Sequence, residues 1–421
     1  MTMKMTLTRR DRFTKDCSSC LTGLPCTGTE GDWCRVIVLP LLCIRPIRRI
    51  GPICLCSPIQ ARLYNSFGSS PPSFYVILNS NFLIPSYFYS MKVCFVESDA
   101  WTESRVRAHG GMFTVVFVES AAESAVIPAD TEVLSVFVNS KVTATVMDSL
   151  PQLKLIVTRS TGYDHIDLAA AATRGIAVCN VPSYGERTVA EYAFALLLTL
   201  SRKMYTALKR VHDEGVFHTD GLTGFDLAEK TIGVVGTGRI GCHVIEIASG
   251  FGMHVIAYDP FPRDGLEKQM NMQYVSLDEL LKRADVITLH APYLPSTHHL
   301  LNAQNMPLIK QGAVLVNTAR GGLVETQALV DALAGGVLAG AALDVLEEER
   351  YVGAEQTLLK GGSPAEQMKA VLADHQLMSY PNVLVSPHNA FNTIEARERI
   401  LDTTLKNIAQ FAASAPQNVV K

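Results

Sequence analysis

Three side chains of different chemistry stand in short motifs late in the chain. They are Arg320 in Asn317-Thr-Ala-Arg-Gly321, Glu349 in Asp344-Val-Leu-Glu-Glu-Glu349, and His388 in Ser386-Pro-His-Asn-Ala-Phe391. A guanidinium is a planar fork that grips a carboxylate at two points. An imidazole passes a proton near neutral pH, and a carboxylate beside it fixes the ring and stabilises the charged form. On strand-end loops of a nucleotide-binding sheet, this set suits the reduction of a 2-oxo acid. The cation orients the substrate carboxylate, and the imidazolium protonates the oxygen that develops charge.

A dinucleotide fingerprint precedes all three. Gly236-Thr-Gly-Arg-Ile-Gly241 follows the apolar run Thr231–Val235 directly. Gly236 permits the tight turn, Gly238 lets the backbone approach a pyrophosphate, and Gly241 lets helix and strand pack closely. The helix N-terminus adds N–H groups and positive dipole, with Arg239 and Ile240 expected against the same cofactor. A lone GxGxxG is weak evidence, but here a strand, a helix and a well-placed acid accompany it. The acid is Asp259, eighteen residues beyond Gly241 at the end of Val255-Ile-Ala-Tyr-Asp259. It is expected to accept from ribose hydroxyls and to repel a 2′-phosphate, which favours NAD over NADP; capping of a turn is the plainer alternative. His290 and Pro292 follow another strand and aim backbone at the crevice. His290 is expected as a cofactor contact rather than a catalyst, since no acid stands in register with it. Thr318 and Ala319 are expected to line the same crevice. Asp344, at a strand end, is expected at the nicotinamide carboxamide or as a helix cap.

A scaffold must bring these groups together. Short β-branched runs recur with helical stretches between them: Lys92–Val96, Phe113–Val118, Leu134–Val138, Leu155–Thr158 and Ile176–Cys179. A second series follows at Thr231–Val235, His254–Tyr258, Val286–His290, Ala313–Asn317, Ala341–Val345 and Val383–Ser386. Alternation of this kind means βαβ units. The expected fold class is α/β, with two doubly wound parallel-sheet domains and a cleft between them. One is a Rossmann NAD domain (188–388), the other a flavodoxin-like substrate domain (91–187 and 389–421). Thr393–Phe411 has helical spacing and is expected to cross back to the first domain. Thr188–Lys203 is apolar from Ala193 to Leu198, so it is expected either buried between domains or at a subunit contact, and a homodimer is expected on that ground.

Of the 421 residues, 48% are hydrophobic and 18% charged, as in a soluble globular protein with room for two cores. A net charge of −3 argues against a nucleic-acid partner. Residues 1–90 differ: they hold ten Lys/Arg against four Asp/Glu and seven of the ten cysteines, and show no sustained period. They are expected to be an extension of little order outside the native fold, with Met91 as the natural start. A targeting segment and a loose tail are the alternatives. Cys17-x-x-Cys20 lacks a second ligand pair, so no metal is expected. The uncharged run Leu63–Met91 is broken by Pro71, Pro72 and Pro85, so no membrane span is expected. Cys94, Cys179 and Cys242 read as free buried thiols of a reducing, cytoplasmic compartment.

From about Met91 to Gln410 the chain resembles the D-isomer-specific 2-hydroxyacid dehydrogenase family, and most of all its D-lactate dehydrogenase branch. The resemblance lies in Thr158-Arg-Ser-Thr-Gly-Tyr-Asp-His-Ile-Asp167, the Gly236 fingerprint with Asp259, Asn317-Thr-Ala-Arg-Gly-Gly322 and Pro387-His-Asn-Ala-Phe391. It implies that Arg320 orients the substrate, that His388 is the general acid/base and that Glu349 is its carboxylate partner, although Glu347 and Glu348 stand beside it. It also implies that the N–H groups of Thr161 and Gly162 receive the substrate carboxylate, and that Tyr184 and Phe391 line the pocket. The implied reaction is NAD-dependent interconversion of a small 2-oxo acid and its D-2-hydroxy acid, with lactate first. Glyoxylate/hydroxypyruvate or branched-chain reduction is the alternative. Chains of this architecture also act as NAD-sensing corepressors, against which the complete Arg/Glu/His set weighs. Arg350–Tyr380 is longer than the resemblance leads one to expect.

Overall fold

The strands read as unbroken apolar runs because both faces of their sheets are covered. The computed structural model describes residues 75–77, 83–85, 91–109, 113–122, 126–352 and 365–420. The chain divides into two units, Met1–Tyr87 and Phe88–Lys421. In the first, β1 (Tyr75–Ile77) and β2 (Leu83–Pro85) pair antiparallel. The remaining expectations for residues 1–90, including the Cys17/Cys20 spacing, fall outside the described residues.

The second unit holds two parallel sheets. The smaller comprises β3 (Lys92–Phe95), β4 (Thr114–Phe117), β5 (Val133–Val136), β6 (Leu155–Thr158) and β7 (Ala177–Cys179), in the order β4-β3-β5-β6-β7. The larger comprises β8 (Thr231–Val235), β9 (His254–Tyr258), β10 (Gln273–Tyr274), β11 (Val286–Leu289), β12 (Ala313–Asn317), β13 (Leu338–Leu343) and β14 (Val383–Val385). Its order is β10-β9-β8-β11-β12-β13-β14. These are the flavodoxin-like order and the Rossmann order with one added strand. Strand order reverses between β3 and β5 and between β8 and β11, and ligands of open parallel sheets bind outside the carboxyl ends at such points. β13 starts three residues earlier than its apolar run suggests, pairing with β12 through a register shift at Ala313/Val314. β10 is only two residues long, too short to leave a periodic signal.

Alternate residues of the large sheet face opposite layers. Ile232, Val234, Ala257 and Val316 pack with Ala190, Phe194, Leu197, Val244 and Ile245 of α4 (Glu186–Ser201) and α6 (Arg239–Gly250). Val235, Ile256, Ile287 and Leu315 pack with Leu280, Leu281, Leu329 and Leu333 of α8 (Leu277–Arg283) and α9 (Thr326–Ala334). The C-terminal helix Ile394–Ala412 does return to the small sheet. Its Leu401, Leu405 and Ile408 share a core with Val93, Phe95, Val133 and Leu155. At about 1.5–3 kcal/mol for each fully buried side chain, those three contribute substantially to holding the two ends of this unit together.

The apolar stretch around Ala193 finds its partners inside the chain. Ala193, Phe194, Leu196 and Leu197 are buried, and Phe194 stacks on Phe251 with ring centres 5.4 Å apart. Lys203, at a left-handed φ of 50°, then ends α4, and a second helix that the periodicity did not separate begins, α5 (Met204–Glu214). No residue of α5 is buried, and Met204, Tyr205, Leu208 and Val211 stand exposed along it. Among the described residues no helix is long and apolar enough to cross a membrane.

Candidate active site

The glycine loop joins β8 to α6. Gly236 has a φ of 95°, and a Cβ there would lie 2.7 Å from the His290 carbonyl oxygen. At Gly241 a Cβ would lie 2.0 Å from the Gly236 oxygen, so helix and turn touch directly. At Gly238 a Cβ would meet nothing within 4 Å. Internal packing therefore demands glycine at the first and third positions but not at the second. The open side of Gly238, beside the N-terminus of α6, is the space a pyrophosphate needs. Thr318 adds a second mark of fit: its hydroxyl is buried and, among the described residues, has no hydrogen-bond partner. The residues present thus fit a dinucleotide.

Around this cradle, Asp259 accepts from Thr237 N at 2.8 Å, from Thr237 Oγ1 at 2.9 Å and from Phe261 N at 2.9 Å. Carboxylate oxygens have further lone pairs, so these contacts hold the side chain and leave it able to accept a hydroxyl. Arg239 donates to Pro182 O and reaches Glu186, whereas Ile240 packs into the core beneath α6. His290 bonds Thr288 Oγ1 at 2.8 Å, and burial of its ring pushes its pKa down to about 3, so it stays neutral. Pro292 follows on the exposed loop. Ala319 N donates to Asn317 Oδ1 at 3.0 Å. Asp344 is the residue expected at the nicotinamide carboxamide or as a helix cap. It is buried, and its carboxylate accepts from Ser386 Oγ, Asn389 N and Ala390 N at 2.6, 2.8 and 2.8 Å. It braces the turn that carries His388.

Arg320, Glu349 and His388 leave neighbouring strands. Asn317 of β12 pairs with Leu343 of β13, and Leu343 with Val385 of β14. The three residues follow those carboxyl ends within a few positions. His388 has a φ of 49°, an uncommon conformation for a non-glycine residue, stabilised by donation from its N–H to Asp344 O at 2.8 Å. Its Nδ1 lies 2.8 Å from Glu349 Oε1. Of the three adjacent glutamates, Glu349 is the one that meets the histidine. The Glu347 carboxylate instead binds His299 Nε2 at 2.6 Å and Thr326 Oγ1 at 2.7 Å. With Nδ1 taken, Nε2 is the nitrogen left to exchange a proton with a substrate.

Arg320 faces the small-sheet domain. Its Nε lies 3.6 Å from Asp164 Oδ1, and a Cβ on Gly162 would meet its Nη2 at 2.0 Å. The Arg320 guanidinium thus lies directly against the backbone of Gly162. The loop Thr158–Asp167 is tied internally by Thr158, Ser160 and His165, the last kept neutral by burial, which lowers its pKa to about 4. Thr161 Oγ1 donates to Val181 O at 2.9 Å. No described residue accepts the backbone N–H of Thr161 or Gly162, so both remain available. Tyr184 is half-buried; burial raises its pKa, while the Arg320 charge acts in the opposite direction. The Phe391 ring meets Phe137 edge-on at 5.1 Å.

Phe137 and Asp164 escaped the sequence reading. Phe137 directly follows β5 at a point of order reversal, a position that alone marks it. Asp164 lies inside the motif Thr158–Asp167 but shows its ion pair with Arg320 only in three dimensions. Cys94 and Cys179 are buried free thiols, whereas Cys242 is only half-buried. Among the described residues no cluster of three or more His, Cys, Asp or Glu could hold a metal ion.

Comparison with known proteins points the same way. The family model for D-isomer specific 2-hydroxyacid dehydrogenase, NAD binding domain, matches residues 194–390. A 2-hydroxyacid dehydrogenase homolog of Schizosaccharomyces pombe is 42% identical over 304 residues, 71% of this chain and 89% of that protein. The D-lactate dehydrogenase kk1H of Curvularia clavata is 40% identical over 304 residues, 71% of this chain and 84% of that one. A crystal structure of D-lactate dehydrogenase from Aquifex aeolicus, complexed with NAD and lactic acid, superposes with a TM-score of 0.69 at 35% identity, covering 77% of this chain and 96% of that one.

Proposed function

The chain belongs to the D-isomer-specific 2-hydroxyacid dehydrogenase family and is an NAD-dependent oxidoreductase of that class; on this premise we propose that it interconverts pyruvate and D-lactate. The observation that carries the proposal is the Glu349–His388 contact at 2.8 Å, made beyond the ends of β13 and β14, of which β13 adjoins the strand that bears Arg320. The contact of Phe391 with Phe137 supports a short substrate side chain, as do the relatives that act on lactate. We assign residues 91–187 and 389–421 to substrate binding and 188–388 to NAD, supported by the return of the C-terminal helix to the small sheet.

The Gly236–Gly241 loop and Asp259 would hold NADH, which would supply the hydride for C2 of the oxo acid. Arg320 grips the substrate carboxylate with its planar fork and polarises the carbonyl, and the Thr161 and Gly162 N–H groups receive the carboxylate from the other side. His388 Nε2 delivers the proton to the developing alkoxide. Glu349 holds the ring through Nδ1 and stabilises its positive charge. The experiment is a rate comparison with pyruvate, glyoxylate, hydroxypyruvate and 2-oxoisocaproate. Pyruvate should give the highest kcat/KM. A higher value with one of the others moves the assignment to that acid, and no turnover with any leaves an NAD-sensing role.

Asp259 is assigned the choice of NAD over NADP. Asp259→Ser should raise the ratio of NADPH to NADH efficiency by on the order of tenfold or more, since the carboxylate no longer repels a 2′-phosphate. An unchanged ratio refutes the assignment.

We propose that a homodimer makes its subunit contact through α5, supported by Met204, Leu208 and Val211, which recur at helical spacing and are exposed in the single chain. Leu208→Glu should convert a sedimenting dimer into a monomer; a wild-type protein that sediments as a monomer refutes it. A reducing cytoplasm is proposed for the reaction, in keeping with the free thiols of Cys94, Cys179 and Cys242.

A further inference from the structure

The stretch between Glu349 and β14 contains a helix, Ala365–Ser379, and on it Asp374 is wholly buried. One of its carboxyl oxygens accepts the Glu348 N–H at 3.2 Å, and the other has no hydrogen-bond partner among the described residues. A charged oxygen left unpartnered in the interior is costly, so a carboxyl in this position needs a reason.

Its surroundings supply one. The segment Leu346–Glu349 is held at three successive residues. Glu347 is tied through its carboxylate to His299 and Thr326, and Glu349 to His388 and, at 3.4 Å, to Leu346 N. Between them, the backbone of Glu348 is tied to Asp374 from the protein interior. We propose that Asp374 is a positioning residue for the dehydrogenase reaction: by fixing the backbone immediately before Glu349, it sets the carboxylate of Glu349 against His388.

Burial pushes the Asp374 pKa up to about 7, and the charges of Glu347, Glu348 and Glu349 add to the rise while the Glu348 N–H opposes it. Of the other elements packed against this helix, the 3-10 turn Glu349–Tyr351 carries Glu349, Arg350 and Tyr351, β14 has no ionisable side chain, and α9 has only Asp331, which is exposed. His375, next on the same helix, is exposed too. Either protonation state of Asp374 keeps an acceptor for Glu348 N–H, which predicts that asparagine can replace it.

The inference rests on the site reading above, and the test separates the two. Asp374→Leu and Asp374→Ala remove the acceptor, whereas Asp374→Asn keeps it; all are made in the full chain, with NADH affinity measured by fluorescence. Loss of the acceptor should lower kcat by about 10- to 10²-fold with NADH affinity unchanged, because a displacement near 1 Å is enough for such a loss. Asp374→Asn should restore kcat to near wild type. Adding Asp374→Leu to Glu349→Gln should slow turnover no further, since one residue acts through the other. Wild-type kcat in the leucine or alanine variant overturns the inference, as does an asparagine variant as slow as these or a double variant with multiplied losses. If leucine and alanine both abolish NADH binding, the asparagine variant alone decides, and a kcat loss in it overturns the inference. Full turnover by Glu349→Gln overturns the site reading and the inference with it. A slow Glu349→Gln beside a normal Asp374→Leu overturns the inference alone.

Discussion

His388→Asn is expected to lower kcat by about 10²- to 10⁴-fold, the usual share of a positioned acid–base group, while NADH still binds. Asparagine is the informative replacement because His388 sits at a left-handed φ of 49°, which asparagine tolerates better than most residues. The backbone bond to Asp344 O and the Asp344 brace on Asn389 and Ala390 can then persist. What is lost is the titrating ring and its 2.8 Å contact with Glu349. Steady-state rates in both directions, with NADH affinity as the control, measure the effect. Turnover within a few-fold of wild type would remove His388 from the proton-transfer role.

Gly321→Ala should do comparable damage from a position that touches no substrate. A Cβ there would lie 2.0 Å from the backbone C and O of Leu346 and 2.4 Å from Glu347 N. Backbone cannot step aside as the end of a flexible side chain can, so the peptide leading to Glu349 and the turn carrying Arg320 must separate. Overpacking of this kind costs about 1–3 kcal/mol of stability. The accompanying shift of about 1 Å should lower kcat/KM by on the order of 10²-fold. Gly238→Ala is the contrast. Its Cβ meets no atom within 4 Å, so the melting temperature without cofactor should stay unchanged while NADH affinity falls. Wild-type kcat/KM in Gly321→Ala would mean that the two segments are not coupled, and undiminished NADH affinity in Gly238→Ala would mean that the open side of the loop is not the pyrophosphate site.

Much of this protein is legible in the linear chain. The strands Leu155–Thr158, Thr231–Val235, His254–Tyr258 and Ala313–Asn317 end where their apolar runs end, because a strand buried on both faces must be apolar throughout. The glycine loop is legible because turn, close approach and helix packing act over six consecutive residues. Arg320, His388 and the glutamate run Glu347–Glu349 stand out by residue type and by their place after strands.

Tertiary structure alone decided the rest. Which of Glu347, Glu348 and Glu349 meets His388 depends on how the chain turns after β13, and three identical side chains give no local signal of that. The apolar run of α4 could face a partner or its own core, and only the packing of Phe194 on Phe251 assigns it to the core. Phe137 with Phe391, Asp164 with Arg320 and Asp374 with Glu348 join residues from separate elements. Periodicity reports which face of an element avoids water; it carries no information about which distant residue will be found on the other side.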